Sequence, residues 1–259
     1  MEKIRLEDSP IVYNVSRCEG GDWVLFLHAA FVHHGMFAQQ IEYFADSYNI
    51  IAVDMLGHGD STDAKRADSI DKMSFWIKRI MERENAQKIH VVGVSLGAVI
   101  AQDFANKYPD NVSSLACFGG YDINNFDMEM QKSNSSSQMG MMLKGMISVK
   151  WFAKANKKIS AYTERAQEEF YKMNLSFEKK SFMYLASLGS MVNKHKTGER
   201  GYPLLIGCGE HDIPMELEAV RMWAESEKNC RTVVFEGAGH CVNMDVPDRF
   251  NKVMEEFWK

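Results

Sequence analysis

Short apolar runs and amphipathic segments alternate along most of this chain, and the alternation predicts an α/β fold. Runs rich in β-branched and aromatic residues predict strands, whereas apolar residues that recur every three or four positions predict helices. Strands are predicted at residues 11–15, 23–27, 50–54, 89–92, 112–118, 202–208 and 231–235, after a first strand at the N-terminus. Helices are predicted at 37–44, 70–81 and 215–224, between about 96 and 108, and from Pro247 onward. Strands that alternate with helices favour a mostly parallel sheet wrapped by helices.

The segment between the second and third predicted strands, Gly20-Gly21-Asp22, has the composition of a tight turn. Glycine tolerates the left-handed conformations that two-residue hairpin turns need. The sequence therefore predicts a hairpin that pairs the strand at 11–15 with the strand at 23–27.

The alternation of strands and helices stops after Gly119-Gly120. From residue 124 to residue 196 the pattern is helical only, and strands resume near Tyr202. An all-helical stretch between two strands of one sheet is an insertion into the sheet domain. We therefore expect a core domain formed by residues 1–123 and 197–259, with a helical cap formed by residues 124–196.

Length and composition narrow the class of protein. The chain has 259 residues, of which 46% are hydrophobic and 25% charged, as in ordinary globular α/β domains. Its net charge of −5 gives no support for a nucleic-acid partner, and no apolar run approaches the roughly 20 residues of a membrane span. The five cysteines are scattered and form no C-x-x-C pair, so we expect a reduced, cytoplasmic protein without a disulfide framework. The oligomeric state stays open.

Gly93-Val94-Ser95-Leu96-Gly97 follows one apolar run and opens a helical segment, which is the setting of a nucleophile elbow. In such a turn, side chains at the two glycine positions would collide with neighbouring backbone, so both residues must be small. The central serine is held in a strained conformation that lifts its hydroxyl out of the sheet. The turn also directs the Leu96 amide toward the reacting atoms, where it can stabilise an oxyanion. Ser95 is therefore the candidate nucleophile.

A serine hydroxyl needs a neighbouring base, and the base needs a carboxylate that orients it. His240 is the candidate base, because it lies in a glycine-rich loop directly after the last strand. Asp212 is the candidate acid, because it ends the loop after the strand before that. Loops at the carboxyl ends of strands are where α/β sheets build their sites. Asp122, in the loop after the strand at 112–118, is the alternative acid.

Five motifs in one order make the chain resemble the α/β-hydrolase-fold enzymes, in particular the capped esterases, lactonases and C–C hydrolases. The motifs are His28 with its loop, and residues 54–61, 93–97, 209–212 and 239–247. The resemblance implies that the Ala30 amide is the second oxyanion donor, beside that of Leu96. The family usually has His-Gly where this chain has His28-Ala29-Ala30. Alanine lacks glycine's access to positive φ, so the loop must follow a path that alanine can adopt.

The other histidines are expected to have structural roles. We expect His28 to hydrogen-bond the loop that it opens. We expect Asp54 to bond local backbone in a glycine-stabilised turn, which leaves His58 as neither a base nor a metal ligand. His33 and His34 are adjacent and cannot both face one ion from a regular element, so the sequence predicts no metal site.

These expectations describe a serine hydrolase in which Ser95 attacks an acyl carbon, His240 takes its proton and Asp212 holds the imidazole. The favoured substrate is a small or medium carboxylic ester with an apolar acyl part, bound beneath the cap. A lactonase, a thioesterase and a C–C hydrolase stay open, because the same three residues serve all of them. A ligand receptor with slow turnover and a cofactor-free perhydrolase also stay open. The proposed hydrolysis needs no cofactor and no metal.

Overall fold

The computed structural model describes residues 1–65, 67–126, 148–195, 200–227 and 229–259. The strands are β1 Glu2–Arg5, β2 Val12–Ser16, β3 Trp23–Leu27, β4 Asn49–Asp54, β5 Ile89–Val94, β6 Val112–Phe118, β7 Leu204–Gly209 and β8 Cys230–Phe235. The α-helices are α1 Ala38–Phe44, α2 Met73–Arg83, α3 Leu96–Lys107, α4 Val149–Ser160, α5 Glu164–Leu175, α6 Pro214–Ser226, α7 Val242–Asp245 and α8 Pro247–Trp258. The 3₁₀ helices are His34–Phe37, Ile70–Lys72, Pro109–Asn111 and Lys179–Met191.

All the strands belong to one sheet, in the order β1-β2-β4-β3-β5-β6-β7-β8. β2 pairs antiparallel with both β1 and β4. Every other pair, from β4 to β8, is parallel. This arrangement confirms the α/β class predicted from the alternation of strands and helices.

The hairpin predicted between β2 and β3 is wrong, because β4 lies between these two strands. β3 and β4 are apolar along nearly their whole length, and their residues are buried on both faces of the sheet except Trp23. Such strands belong in the interior of a parallel sheet, where each has a neighbour on both edges. The loop at Gly20-Gly21-Asp22 therefore passes the start of β4, where the Asn49 amide donates to the Asp22 carbonyl (2.8 Å).

Side chains alternate across the sheet and build a core on each face. One core joins Leu25, Ile51 and Val91 to buried side chains of α2 and α3. The other joins Phe26 and Phe118 to buried side chains of α1 and α8. A sheet covered on both faces holds its strand ends rigidly, and the loops after those ends are consequently well positioned.

Between β6 and β7, residues 148–195 contain helices, and none of the described residues of this segment forms a strand. We call residues 148–195 the helical insertion. The side chains of Ser148 and Thr163 accept hydrogen bonds from the amides of Trp151 and Ala166, and thereby cap α4 and α5. Residues 127–147 and 196 of the predicted cap, and residues 197–199 of the predicted core domain, lie outside the described residues.

The described residues contain neither a membrane-spanning helix nor a disulfide bond. No helix in the described part of the chain has both the length and the apolar character that crossing a bilayer requires. All five cysteines are free, and Cys117, Cys208 and Cys241 are buried. Burial raises the pKa of these three thiols, which agrees with a role as small core residues.

Candidate active site

Ser95 occupies the sharp turn between β5 and α3 with φ 55° and ψ −116°, a conformation that non-glycine residues rarely adopt. A Cβ atom at Gly93 would lie 2.3 Å from the Gly97 carbonyl oxygen, and one at Gly97 would lie 2.0 Å from the Leu27 carbonyl oxygen. These contacts confirm the steric reason for both glycines. The Ser95 amide donates to the Phe118 carbonyl (2.8 Å), which ties the turn to β6.

His240 and Asp212 meet at the carboxyl end of the sheet. His240 Nδ1 lies 2.9 Å from Asp212 Oδ1. The Asp212 side chain is fully buried and 13% of the His240 side chain is exposed. A Cβ atom at Gly119 would lie 2.8 Å from His240 Nδ1, so the loop after β6 must have glycine there for the imidazole to occupy this position. The contact leaves Nε2 as the ring nitrogen available for proton transfer.

Charge and burial act on His240 in opposite directions. Burial alone lowers the pKa of an imidazole. The charge and hydrogen bond of Asp212, together with the charge of Glu216, outweigh burial and raise the pKa of His240 to about 9. The protonated imidazole is therefore stabilised by two carboxylates.

The alternative acid, Asp122, does not contact His240 in the structure. Its Oδ1 accepts a hydrogen bond from the Asn124 amide (2.9 Å), and its Oδ2 is buried without a partner among the described residues. Burial raises the pKa of Asp122. The geometry thus pairs His240 with Asp212 and leaves Asp122 in a local turn.

The loop after β3 combines a structural histidine with a strained residue. His28 Nδ1 donates to the Ala29 carbonyl (2.7 Å), and Nε2 accepts from the Met55 amide (2.9 Å), which confirms that His28 bonds its loop. Burial lowers its pKa to about 3, so the ring is neutral. Ala29 and Ala30 avoid positive φ, as expected, and Phe31 takes it instead (φ 70°). Leu96 begins α3, so its amide belongs to the first turn, where helical N–H groups lack intrahelical partners.

A cavity of about 370 Å³ brings these groups together. Ser95, His240, Ala30 and Leu96 all line it, as do residues of the helical insertion. Most of the wall is apolar, with contributions from Phe31, Val99, Phe126, Phe152, Ile159, Phe170, Leu185, Leu188, Ile213, Met215 and Ala219. Such a wall suits an apolar ligand portion held over a few polar groups.

Three residues near this cavity escaped the sequence reasoning. Glu216 and Asn156 line the cavity, and each has a buried side-chain atom without a partner among the described residues. Asp245 accepts hydrogen bonds from Gly239, Tyr162 and Thr163, and so joins the His240 loop to the start of α5. Glu216 and Asp245 lie beside helix starts, where acids are common, and Asn156 lies within α4, so nothing in the sequence marks a role for them.

The spacing argument about His33 and His34 is wrong. His33, His34 and Asp54 offer ligand atoms within 4.8 Å of one another, because His33 is the N-cap and His34 the first residue of a short 3₁₀ helix beside the end of β4. Several of these ligand atoms already have hydrogen-bond partners. Asp54 accepts from the His34 amide (2.9 Å), the His34 ring (2.7 Å) and the Asp60 amide (2.9 Å), and His33 Nδ1 accepts from the Gly35 amide (3.1 Å). Asp54 therefore bonds local backbone, as expected.

Residues 22–148 match the family model of the alpha/beta hydrolase fold. The chain belongs to the α/β-hydrolase fold family. A solved structure of a thermophilic esterase from Thermogutta terrifontis superimposes with a TM-score of 0.79 at 20% identity, over 98% of this chain and 96% of that chain. This similarity shows that the two proteins share the fold.

Two relatives match this chain over most of its length. An (E)-2-((N-methylformamido)methylene)succinate hydrolase of Acinetobacter baylyi is 25% identical over 243 residues, which are 91% of this chain and 89% of that protein. A monoacylglycerol lipase of Homo sapiens is 25% identical over 256 residues, which are 90% of this chain and 74% of that protein. Both relatives have hydrolytic names, and this α/β-hydrolase is accordingly an enzyme of that family.

Proposed function

We propose that this α/β-hydrolase is a serine hydrolase that cleaves a small or medium carboxylic ester through an acyl-enzyme. The observation that carries the proposal is that His240, whose Nδ1 lies 2.9 Å from Asp212 Oδ1, lines the same cavity as Ser95. A hydroxyl on a nucleophile elbow and an imidazole oriented by a buried carboxylate are the parts that acyl transfer requires.

In the proposed reaction Ser95 attacks the acyl carbon while His240 Nε2 takes the hydroxyl proton. Asp212 holds the imidazole and stabilises its charged form. The amides of Ala30 and Leu96 donate to the oxyanion of the tetrahedral intermediate. His240 then gives its proton to the leaving alcohol, and a water that His240 activates hydrolyses the acyl-enzyme.

The apolar wall supports a substrate whose acyl part is apolar. Helices α4 and α5 contribute Phe152, Ile159 and Phe170 to that wall, so we propose that the insertion is a cap that shapes the acyl site. Phe31 extends the same surface, because its ring packs against the rings of Phe152 and Phe177, with centroid distances of 4.8 Å and 5.2 Å.

A fluorophosphonate probe, followed by peptide mapping, tests the nucleophile. We expect covalent labelling of Ser95 in the native protein and repeated turnover of short p-nitrophenyl esters. Ser95→Ala should abolish labelling and lower kcat by about 10⁴- to 10⁶-fold, the scale of losing such a nucleophile. Retention of more than a tenth of the esterase activity would reject the proposal. Matched lactones and thioesters in the same assay rank the related reactions, and a single labelling event without turnover would favour a receptor.

A further inference from the structure

One carboxylate of the cavity wall has no role in the proposed reaction. Glu216 lies in the first turn of α6 and lines the cavity with Ser95 and His240. Its Oε2 atom is buried and has no hydrogen-bond partner among the described residues. A buried carboxylate oxygen is normally paired, because it has lost its hydration and needs a donor in place of water.

The position of Glu216 in its helix does not explain the unpaired oxygen. A glutamate at the third position of a helix usually accepts a hydrogen bond from the N-cap amide, which here belongs to Ile213. The Ile213 amide instead donates to Asp212 Oδ1 (2.8 Å). A negative charge does favour the start of a helix, but an exposed side chain would provide that charge without burial.

Glu216 is close enough to the proposed catalytic pair to interact with it electrostatically. Burial raises the pKa of Glu216 to about 7, with His240 opposing this rise and Asp212 adding to it. Glu216 in turn contributes to the raised pKa of His240. Geometry places it on the same side, because Glu216 lies in the first turn of α6, whose N-cap amide donates to Asp212, and Asp212 contacts His240.

The same side of the cavity receives the alcohol part of an ester. In the proposed reaction His240 gives its proton to the leaving oxygen, so the alcohol must lie beside the imidazole. The other cavity residues on or beside the start of α6 are Ile213, Met215 and Ala219, whose side chains are apolar. Glu216 is therefore the polar side chain of this helix that an alcohol substituent would meet.

We propose that Glu216 binds a hydrogen-bond donor, a hydroxyl or a protonated amine, on the alcohol part of the substrate. This inference rests on the proposed hydrolase function and names its substrate class: esters of alcohols that have a second donor group near the ester oxygen. Glu216 is then a specificity residue that pairs its buried oxygen with the substrate, and Ser95, His240 and Asp212 perform the bond changes.

Two pairs of isosteric esters test the proposal at a pH just above neutrality. The first pair is 2-hydroxyethyl butanoate and propyl butanoate. The second is 2-(dimethylamino)ethyl butanoate, which is protonated on nitrogen, and 3-methylbutyl butanoate. Each pair differs in the donor group while size and shape are kept. The quantity compared is the ratio of kcat/KM within a pair, because damage to the fold or to Ser95 affects both members equally.

We expect the native enzyme to prefer the donor-bearing ester of at least one pair by about tenfold, the scale of a hydrogen bond to a charged group. Which pair shows the preference identifies the donor as hydroxyl or ammonium. In Glu216→Gln the ratio should fall severalfold, mainly through KM, because the neutral amide oxygen accepts a weaker hydrogen bond than the charged carboxylate. Glu218→Gln is the matched control, because Glu218 is an exposed residue of the same helix that pairs with Arg221, and it should keep the native ratio.

Equal rates within both pairs, or ratios that persist in Glu216→Gln, would overturn the role of Glu216. The proposed function has a separate readout. Labelling of Ser95 by the fluorophosphonate and turnover of propyl butanoate would continue in that case, whereas both would be absent if the enzyme were not a serine hydrolase.

Discussion

At the scale of single residues, the surroundings of His240 decide its chemistry. The ring touches Asp212 at 2.9 Å and is also influenced by the charge of Glu216. A base works only while it is neutral, and two nearby carboxylates favour its protonated form. The His240 imidazole is therefore strongly basic, and a pH above neutrality is needed to deprotonate it.

The pH profile should show this basicity. The pKa of His240 is raised from 6.5 to about 9, so protonated His240 persists above neutrality and activity should be lost as the pH falls through that range. We expect kcat/KM for a p-nitrophenyl ester to rise with pH, with a midpoint above 6.5. In Glu216→Gln the midpoint should move down, because one charge that stabilises the imidazolium is gone. A flat profile, or a midpoint below 6.5, would contradict the assignment.

The two candidate acids should respond differently to the same change. Asp212→Asn should lower kcat by about 10³- to 10⁴-fold, because the amide cannot stabilise the imidazolium. Asp122→Asn should change kcat by only a few fold, because burial already favours the neutral form of Asp122 and its contact is to a local amide. Steady-state kinetics of both variants, with circular dichroism to check folding, make the comparison. The reverse outcome would move the acid to Asp122.

Candidate site residues can be predicted from the sequence where their positions depend on neighbouring residues in the chain. Ser95, Asp212 and His240 each follow a strand that can be recognised from its apolar run, and parallel strands bring their carboxyl ends to one edge. Glu216 and Asn156 stand out because each has a buried side-chain atom at the cavity without a partner among the described residues. No spacing in the sequence predicts that placement. The cluster of His33, His34 and Asp54 was missed because the start of a 3₁₀ helix brings two adjacent histidines beside the end of β4.

At the scale of elements, the loop after β3 depends on the helical insertion. Phe31 holds a positive φ, which costs a non-glycine residue on the order of 1 kcal/mol or more. Its ring packs with Phe152, Phe177 and Phe182, and its carbonyl accepts from the Asn174 side chain (3.0 Å). These contacts hold the strained residue, and with it the neighbouring amide that we propose as an oxyanion donor.

Asp245 links another pair of elements. Its carboxylate accepts from the amides of Thr163 (2.7 Å) and Gly239 (2.8 Å), and so ties the start of α5 to the loop of His240. We expect Asp245→Asn to lower the free energy of unfolding by about 1–3 kcal/mol, because an amide has one acceptor oxygen and no charge. Urea denaturation measures the change. Asp248→Asn, an exposed acid in the next helix, should stay within about 0.5 kcal/mol. If the two variants had the same free energy of unfolding, Asp245 would not have the linking role.

Local patterns predict the elements better than they predict strand neighbours. The predicted strands are present because short apolar runs have few alternatives in an α/β chain. The predicted hairpin between β2 and β3 does not form, although Gly20-Gly21-Asp22 has the composition of a turn. β4 lies between these two strands and pairs with both. A doubly buried strand takes two partners, and that requirement is a property of the whole sheet.

At the scale of the whole molecule, the loops at the edge of the sheet and the helical insertion together line the cavity. Those loops contribute Ser95 and His240, and the insertion contributes much of the apolar wall. The described walls bound about 370 Å³, near the lower end of the volumes typical of small-molecule sites. We therefore expect the volume of the cavity and its apolar wall together to determine which acyl chains the enzyme accepts.

A series of p-nitrophenyl esters from acetate to palmitate tests this selection. We expect kcat/KM to rise from acetate toward medium chains, because each buried methylene contributes about 0.8 kcal/mol of transfer free energy. It should fall again for palmitate, whose chain exceeds the enclosed space. A continued rise through palmitate would show that the acyl site extends well beyond the described walls.

The rings around Phe31 also limit how this enzyme can be re-engineered. A lid from another hydrolase, grafted between β6 and β7, would bring a new pocket roof but would remove the partners of Phe31. The loop would then be free to relax to negative φ and withdraw its amide from the reacting carbonyl. Such a chimera should bind esters and turn them over poorly unless the graft includes its own aromatic support.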